Sequence, residues 1–371
     1  MKKVLCSVFA VVALALLTLL ASGCNCSSTK AEAWQKRDKN AKTEVKAEKT
    51  VEQKAQDKSE YNQFQDLYTP AFQLIWNDFS DKLVGHEVKF VGENPQILSD
   101  LNQRRLTEDM LLKKDYYKTI APQTVKTKKT IEKAIKKQFN EKSQILDTVS
   151  WLKNDDGVHK ILYCMFKKDI FFEKVFKELD PLPFFGETRS KDAYKMFGAT
   201  KDQHKFSHQV KPVYYNDEND YAVKLLTKTG DEIILLASNS DEPVLSIWDK
   251  LYAEKLTKKS HLDFDKHSKL IVPFVKLSKT FKYDELTGKD IVGSKYIIDS
   301  AIEVIDFSLD NTGARIKNEA MMGVRMTALR PHEPDRLYYF NKPFVLFIRA
   351  KDGKVPYFAL KVKDTTYLQK G

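Results

Sequence analysis

The sequence predicts an α+β fold in which helices come first and antiparallel sheets follow. Helical periodicity dominates the chain up to about residue 149, and strand-like apolar runs dominate it afterwards. Two turns, Thr229-Gly230 and Lys351-Asp352-Gly353-Lys354, each separate a pair of apolar runs, which is the pattern of a β-hairpin. With 371 residues, 42% of them hydrophobic, the chain is long enough to bury a large core.

The N-terminus has the layout of a secretory signal, which we predict over residues 1–23. Lys2 and Lys3 precede an apolar run at 8–21 that is short for a membrane span. The small residues that follow, up to Cys24, resemble a bacterial lipobox, and this resemblance implies that Cys24 is a lipid anchor. The alternative is a plain signal peptide cut nearby. Either interpretation predicts an exported protein, in the cell envelope or outside the cell.

Residues 24–65 are predicted to form a flexible tether. The stretch 27–61 is rich in Lys, Glu, Ala and Gln and has almost nothing to bury. The globular domain is therefore expected to occupy residues 66–368.

Three helical regions are expected early in that domain. Residues 71–83 place apolar side chains on one helical face, 98–118 are helical but irregular, and 128–149 form an amphipathic helix. A short strand, EVKFVG, is expected at 87–92.

Strands are predicted over most of the remaining chain. A later helix, at 243–256, interrupts them. The predicted strands are one strand or a pair of strands within 158–176, the hairpin 220–238, one strand at 269–278, a strand-rich stretch at 294–311 and the hairpin 343–362.

No motif for catalysis or metal binding stands out. The chain has no phosphate-binding Gly-rich loop, C-x-x-C, H-E-x-x-H or G-x-S-x-G. His204 and His208, and the group from His261 to His267, are interpreted as solvated polar segments. We therefore expect a protein that is not an enzyme and has no metal or cofactor. The formal charge of +11 favours anionic partners or simple solubility, with no specific nucleic-acid partner.

One stretch, DNTGARIKNEAMMGVRM at 310–326, alternates like a strand just after a turn. Ala314, Ile316, Asn318 and Ala320 share one face, and charged residues share the other. The stretch is either an ordinary amphipathic end of an element or a segment that can enter an existing sheet.

Five segments resemble serpins, and they occur in the order of that family. The Pro-Phe, the apolar strand ending in Ile-Arg and the last strand resemble the serpin C-terminus, and Glu-Val followed by a turn and small residues resembles the serpin hinge. The segments are 130–147, 171–176, 269–291, 301–320 and 340–362. The resemblance implies a monomeric serpin-like α+β domain with an exposed reactive loop at 314–339.

The resemblance also implies a mechanism. In serpins a protease of the serine or cysteine type cuts the loop and forms an acyl-enzyme, and the hinge then inserts into the main sheet. The hinge implied here consists of Gly313, Ala314, Ile316, Asn318 and Ala320.

By its length from the hinge, the loop implied by the resemblance has its cut near Thr327. The candidate bonds are Arg325–Met326, Thr327–Ala328 and Leu329–Arg330, because proline after Arg330 disfavours cleavage there. Inhibitory hinges are usually runs of Ala and Thr, whereas Ile316 is bulky and Asn318 is polar. A non-inhibitory serpin-like surface binding protein is the alternative, and an unrecognised extracytoplasmic enzyme is a further rival.

Overall fold

In a computed structural model, the described residues are 65–185, 189–316 and 336–371, and they form an α+β fold. The predicted class, helices with several antiparallel sheets, is confirmed. No helix in these three ranges is long and apolar enough to cross a membrane.

The largest sheet has six strands in the order β1-β16-β15-β9-β8-β7, and every pair is antiparallel. Both predicted hairpins lie in it, with Gly230 (φ +79°) and Asp352 (φ +57°) at their turns. Strands β9, β15 and β16 are almost wholly buried, which explains their unbroken apolar sequences. The strands are β1 Leu67–Tyr68, β7 Val210–Asp217, β8 Asp220–Leu226, β9 Asp231–Ala237, β15 Phe344–Ala350 and β16 Phe358–Val362.

A second sheet has the order β14-β10-β6-β5. Its β10–β14 pair is parallel and the other two pairs are antiparallel. The strands are β5 Lys177–Phe185, β6 Arg189–Ala199, β10 Ser268–Pro273 and β14 Arg336–Tyr339.

The third and fourth sheets are joined through one chain segment. The third has the order β11-β12-β13-β4, and the fourth is the pair β2–β3. Only Lys167 separates β3 from β4, so one stretch of chain serves both sheets. The strands are β2 Tyr116–Pro122, β3 Lys160–Phe166, β4 Lys168–Phe171, β11 Val275–Lys282, β12 Ile302–Asp310 and β13 Gly313–Ile316.

Four α-helices occur in the described residues, and short 3₁₀ turns lie between elements. Two of the helices, α1 and α4, each continue into a π-helical turn. The Thr124 hydroxyl accepts from the Thr127 N–H and caps α3. The helices are α1 Pro70–Asp78, α2 Gln96–Asn102, α3 Val125–Phe139 and α4 Val244–Leu251.

Two apolar cores hold these elements. The main core fills the space among the sheets, α1, α2 and α4. A smaller core lies beneath α3, where Ile131, Ile135 and Phe139 pack with Tyr163 of β3 and Leu146. Helix α3 thus covers one face of the β2–β3 pair.

Four sequence-based boundaries were wrong. The region predicted to be helical at 98–118 has an α-helix only up to Asn102, and its last residues belong to β2. The helix predicted over 128–149 ends at Phe139, because Asn140 adopts the left-handed conformation (φ +56°). EVKFVG makes only one isolated bridge, Phe90 to Ile291, so it is not a strand. The strand predicted at 269–278 is divided at Phe274, where the chain leaves the second sheet and enters the third.

Candidate functional site: a short strand above a gap between strands

Strand β13 lies between β12 and β4 and pairs antiparallel with both. Ala314 stands opposite Leu309 on one side and Ile170 on the other, and Ile316 stands opposite Lys168. The sequence allowed two interpretations of the stretch 310–326, an ordinary end of an element or a segment that can enter a sheet. Its described part includes a strand with neighbours on both sides.

The turn before β13 brings two backbones unusually close. Gly313 has φ +150°, and a Cβ placed there would lie 1.9 Å from the Ile170 carbonyl oxygen. The Phe172 N–H donates to the Thr312 carbonyl over 3.0 Å, which holds the turn against the end of β4. Only glycine fits this position without a displacement of β13.

Side chains of β13 alternate as predicted. Ala314 is 0% exposed and Ile316 is 8% exposed, and both belong to the main core, while Arg315 is half-buried on the other face. Asn318 and Ala320, the other hinge residues predicted, lie outside the described residues, as do Arg325, Met326, Thr327, Ala328, Leu329, Arg330 and Cys24.

The bounds of the predicted loop need correction. Residues 314–316 belong to β13, and 336–339 form β14 of the second sheet, where hydrogen bonding to β10 fixes them. Both ends of the proposed loop 314–339 are therefore strands rather than exposed loop.

Past the C-terminal end of β13 at Ile316, the third and fourth sheets are separated by a space that we call the sheet gap. Within the described residues, β12 pairs over 302–307 only with β11, and β3 pairs only with β2. A cavity of about 150 Å³ lies here, and Leu162, Cys164, Phe166, Val304 and Ile316 are among its lining residues. The two edges face each other across a space in line with β13.

The segment 142–149, which follows α3 and which we call the cover, lies over this gap. The side-chain amide of Gln144 donates to Asp306 Oδ2 over 2.9 Å, and Leu146 packs into the smaller core. Lys128 of α3 pairs with Asp147 at 2.6 Å and fixes the segment to the helix. The cover is thus attached both to α3 and to β12.

A buried carboxylate lies on the floor of the gap. Glu303 of β12 is 5% exposed and accepts hydrogen bonds from the hydroxyls of Thr69 and Tyr283, each over 2.7 Å. Burial raises the pKa of Glu303 above its ordinary value of 4.5, although these two hydrogen bonds lower it. Thr69 is the N-cap residue of α1, so the carboxylate also lies near the positive end of that helix.

Across the cavity from Glu303 lies the thiol of Cys164. Burial raises the pKa of this thiol above its ordinary value. A thiol in that state is a poor nucleophile, so Cys164 acts here as a small apolar side chain.

A buried ionic group holds the start of β4. Lys168 Nζ lies 3.0 Å from Asp115 Oδ2 and 2.9 Å from Asp231 Oδ1, and the Tyr357 hydroxyl donates to Asp231 over 2.9 Å. The group joins β4 to the six-stranded sheet directly opposite Ile316. Sequence reasoning missed both this group and Glu303. For Glu303 the available signal was a carboxylate on the inward-facing side of the alternating run AIEVIDF.

Several solved structures to which the chain is similar are serpins. The thermophilic serpin tengpin in its native state is 12% identical, with 82% of this chain and 90% of that chain covered and a TM-score of 0.45. A highly specific serpin of the insect Tenebrio molitor is 13% identical, with 80% and 91% covered and a TM-score of 0.43.

A serpin of the trematode Schistosoma haematobium is 16% identical, with 65% of this chain covered and a TM-score of 0.39. The chain spans 64% of that trematode protein. Neither the protein-family models nor the curated proteins match the sequence. The similarity concerns fold, and no activity of this chain follows from it.

Proposed function

We propose that the protein is a serpin-like protease inhibitor exposed outside the cytoplasm, and that the chain after Ile316 enters the sheet gap as a strand. The observation that supports this is the position of β13. It already lies between β12 and β4, in line with two facing edges that no described strand joins. Extending β13 would unite the third and fourth sheets.

The register of β13 determines which residues of the neighbouring strands the following residues would stand opposite. Ser308 stands opposite Arg315, so Lys317 would stand opposite Asp306 if no bulge intervened. On the inner face, Asn318 would lie between Ile305 and Phe166. Ala320 would lie between Glu303 and Cys164, where only a small side chain leaves the buried carboxylate undisturbed.

A cut in the loop would be required because the chain is held at both ends. Ile316 is held in β13, and Arg336 of β14 forms an ion pair with Asp265 at 2.8 Å. A target protease of the serine or cysteine type would supply the cut. We place it within Arg325 to Arg330 and favour the Arg325–Met326 bond, which would suit a trypsin-like protease.

Thermal unfolding before and after a single cut within 321–335 tests the proposal. Each backbone hydrogen bond gained contributes about 1 kcal/mol, so a strand paired on both sides would raise Tm by more than about 10 °C. An unchanged Tm would overturn strand insertion.

A non-inhibitory surface binding protein on the same scaffold is the second candidate. The observation that favours it is the apolar setting into which the polar Asn318 would insert, between Ile305 and Phe166. Incubation with trypsin distinguishes the two. An inhibitor forms a covalent complex that survives denaturing electrophoresis, whereas a binding protein is only cleaved.

We further propose that residues 1–23 direct export and that Cys24 anchors the protein to a membrane, with the monomeric domain beyond the tether. Replacing Cys24→Ser should move the protein from the membrane fraction to the soluble fraction. Retention of the variant in membranes would contradict the anchor.

A further inference from the structure

The outer edge of β2 is a free edge of the fourth sheet. Strand β2 pairs with β3 along its whole length, and no other described strand joins it. The Lys167 N–H donates to the Asp115 carbonyl over 2.8 Å and the Gln123 N–H donates to the His159 carbonyl over 3.0 Å, so the odd-numbered residues bond to β3. The N–H and C=O groups of the even-numbered residues therefore point outward, away from β3 and from the sheet gap.

Both ends of this edge are closed, and its middle is open. At one end the Gln138 side-chain amide donates to the Tyr116 carbonyl over 2.9 Å. At the other end Pro122 has no N–H to offer. Within the described residues, the backbone N–H and C=O groups of Lys118 and Ile120 have no hydrogen-bond partner. These groups can accept an added strand.

A groove lies beside this edge, between β2 and the N-terminal half of α3. Its volume is about 460 Å³, and Tyr117, Thr119 and Ala121 form its β2 wall. These odd-numbered residues lie on the face of β2 that α3 covers, where Tyr117 also packs against the smaller core. A strand added next to β2 would therefore place every second side chain in this groove.

The groove carries positive charge. Lys126 and Lys153 are exposed and line it from two parts of the chain. Among the described residues that line the groove, Asp155 is the one carboxylate, and it accepts a hydrogen bond from the Gly157 N–H over 2.8 Å. No ion pair joins either lysine to a carboxylate in the part of the chain that the structure describes. The groove is therefore suited to acidic side chains.

We propose that the outer edge of β2 binds an extended acidic peptide of a partner protein as an added strand. The peptide would form main-chain hydrogen bonds with Lys118 and Ile120, and its acidic side chains, opposite Thr119 and its odd-numbered neighbours, would lie near Lys126 and Lys153. A second copy of this chain fits less well, because pairing of β2 with itself would bring the positive charges of two grooves together. The proposal does not depend on the proposed function, since this edge faces away from the sheet gap.

Fluorescence anisotropy of labelled octapeptides with the full chain tests the proposal. The main probe has four Glu-Val repeats. A peptide of four Glu-Pro repeats keeps the charge but lacks the N–H groups that would face β2, and a peptide of four Lys-Val repeats reverses the charge. We expect each of these two controls to bind at least about tenfold more weakly than the Glu-Val peptide.

A proline substitution tests the edge itself. Ile120→Pro removes one outward N–H and leaves the bonds to β3 in place, and proline is tolerated at such edge positions. Thr280→Pro is the matched control. The Tyr283 N–H donates to the Ala301 carbonyl over 2.9 Å, so by alternation the Thr280 N–H on the edge strand β11 points away from β12. We expect Ile120→Pro to weaken binding of the Glu-Val peptide at least about fivefold, and Thr280→Pro to leave it within about twofold.

A pair of lysine substitutions tests the groove independently. Lys126→Gln/Lys153→Gln should weaken binding of the same peptide at least about fivefold. Lys201→Gln/Lys259→Gln removes two exposed lysines elsewhere and should leave binding within about twofold. Because all four side chains are exposed, both variants should keep the Tm of the parent, so this comparison remains decisive even where a proline variant does not fold.

Four outcomes would overturn the proposal. Equal affinity for the Glu-Pro and Glu-Val peptides would mean that binding follows charge alone. Unchanged binding by a folded Ile120→Pro would place the peptide elsewhere, as in the sheet gap, because this N–H points away from β3. Equal losses in the two lysine variants would exclude the groove. Conversion of a dimer into a monomer by Ile120→Pro, measured by sedimentation, would make a second copy the occupant.

Discussion

The side-chain amide of Gln144 donates a hydrogen bond to Asp306 Oδ2, and this contact ties the segment after α3 to the edge of β12 that faces the sheet gap. The same carboxylate accepts from the Ser278 hydroxyl through its other oxygen. In the proposed inserted state Lys317 would stand opposite Asp306, so the incoming chain and the cover would compete for one carboxylate.

The first prediction concerns this contact. Replacing Gln144→Ala should accelerate the change that follows loop cleavage severalfold, because the cover is then released from β12. The free energy of unfolding should fall by only about 0.5 kcal/mol, since the contact is exposed. The measurement is the rate of Tm increase after cleavage.

Gln123→Ala is the matched control. Gln123 donates to the Ser150 carbonyl over 2.8 Å, so it fixes the neighbouring part of the same loop without reaching β12. Equal rates for the two variants would mean that the contact with Asp306 does not limit entry.

The second prediction concerns Gly313. Gly313→Ala should destabilise the fold by about 2 kcal/mol, because its Cβ would meet the Ile170 carbonyl. Amide hydrogen exchange at Ala314 and Ile316 should accelerate as β13 leaves the sheet.

Gly157→Ala separates the strain caused by positive φ from the strain caused by the close approach to another backbone. Gly157 also has positive φ (+72°), but nothing lies within 4 Å of a Cβ placed there. If both variants lost the same stability, the close approach at Gly313 would not matter.

The third prediction tests the register of insertion. In the cleaved protein, Ala320→Glu should abolish the rise in Tm, because a second carboxylate would be buried against Glu303. Met321→Glu, which would project from the outer face, should retain most of the rise. A similar response from both variants would show that the chain does not continue in the register of β13.

The fourth prediction concerns pH. Because burial raises the pKa of Glu303, the folded chain holds this proton more tightly than the unfolded chain does. The free energy of unfolding should therefore fall as pH rises from 4.5 through the raised pKa, and the contribution should be constant above it.

Glu303→Gln should remove this fall, so that the stability of the variant relative to the parent increases with pH across that window. Denaturant unfolding over a pH series measures the difference. The exposed Glu173→Gln should show no such trend. A parent and Glu303→Gln variant with parallel pH profiles would contradict the assignment.

The fifth prediction concerns the ionic group beneath β4. Lys168→Met should cost about 3 kcal/mol, because it leaves Asp115 and Asp231 buried without their cation. Adding Asp115→Asn and Asp231→Asn should recover much of that loss. Failure of the triple variant to exceed Lys168→Met in stability would show that the lysine acts by packing alone.

The sequence predicted the parts of this fold that local patterns control. The hairpins at Gly230 and Asp352 follow from turn residues between apolar runs, and the alternation of Ala314 and Ile316 follows from the period of a strand. These signals need only a few neighbouring residues.

Other features depend on contacts between distant segments, and no local pattern predicted them. Phe274 divides a continuous strand-like sequence because two different sheets accept its two halves. Glu303 is surrounded by Thr69, from a segment more than two hundred residues earlier, and by Tyr283. The ionic group of Lys168, Asp115 and Asp231 likewise forms only when three strands or strand ends meet.

The cover over the sheet gap also has a consequence for solubility. Two facing strand edges that no described strand joins offer a template for a β-strand from another molecule. A cleaved peptide, or the loop of a neighbouring copy, would meet the same surface as the chain's own residues after Ile316. We therefore expect the segment that Gln144 attaches to β12 to shield the protein from self-association, and a change that loosens this segment should favour aggregation even where the fold itself remains stable.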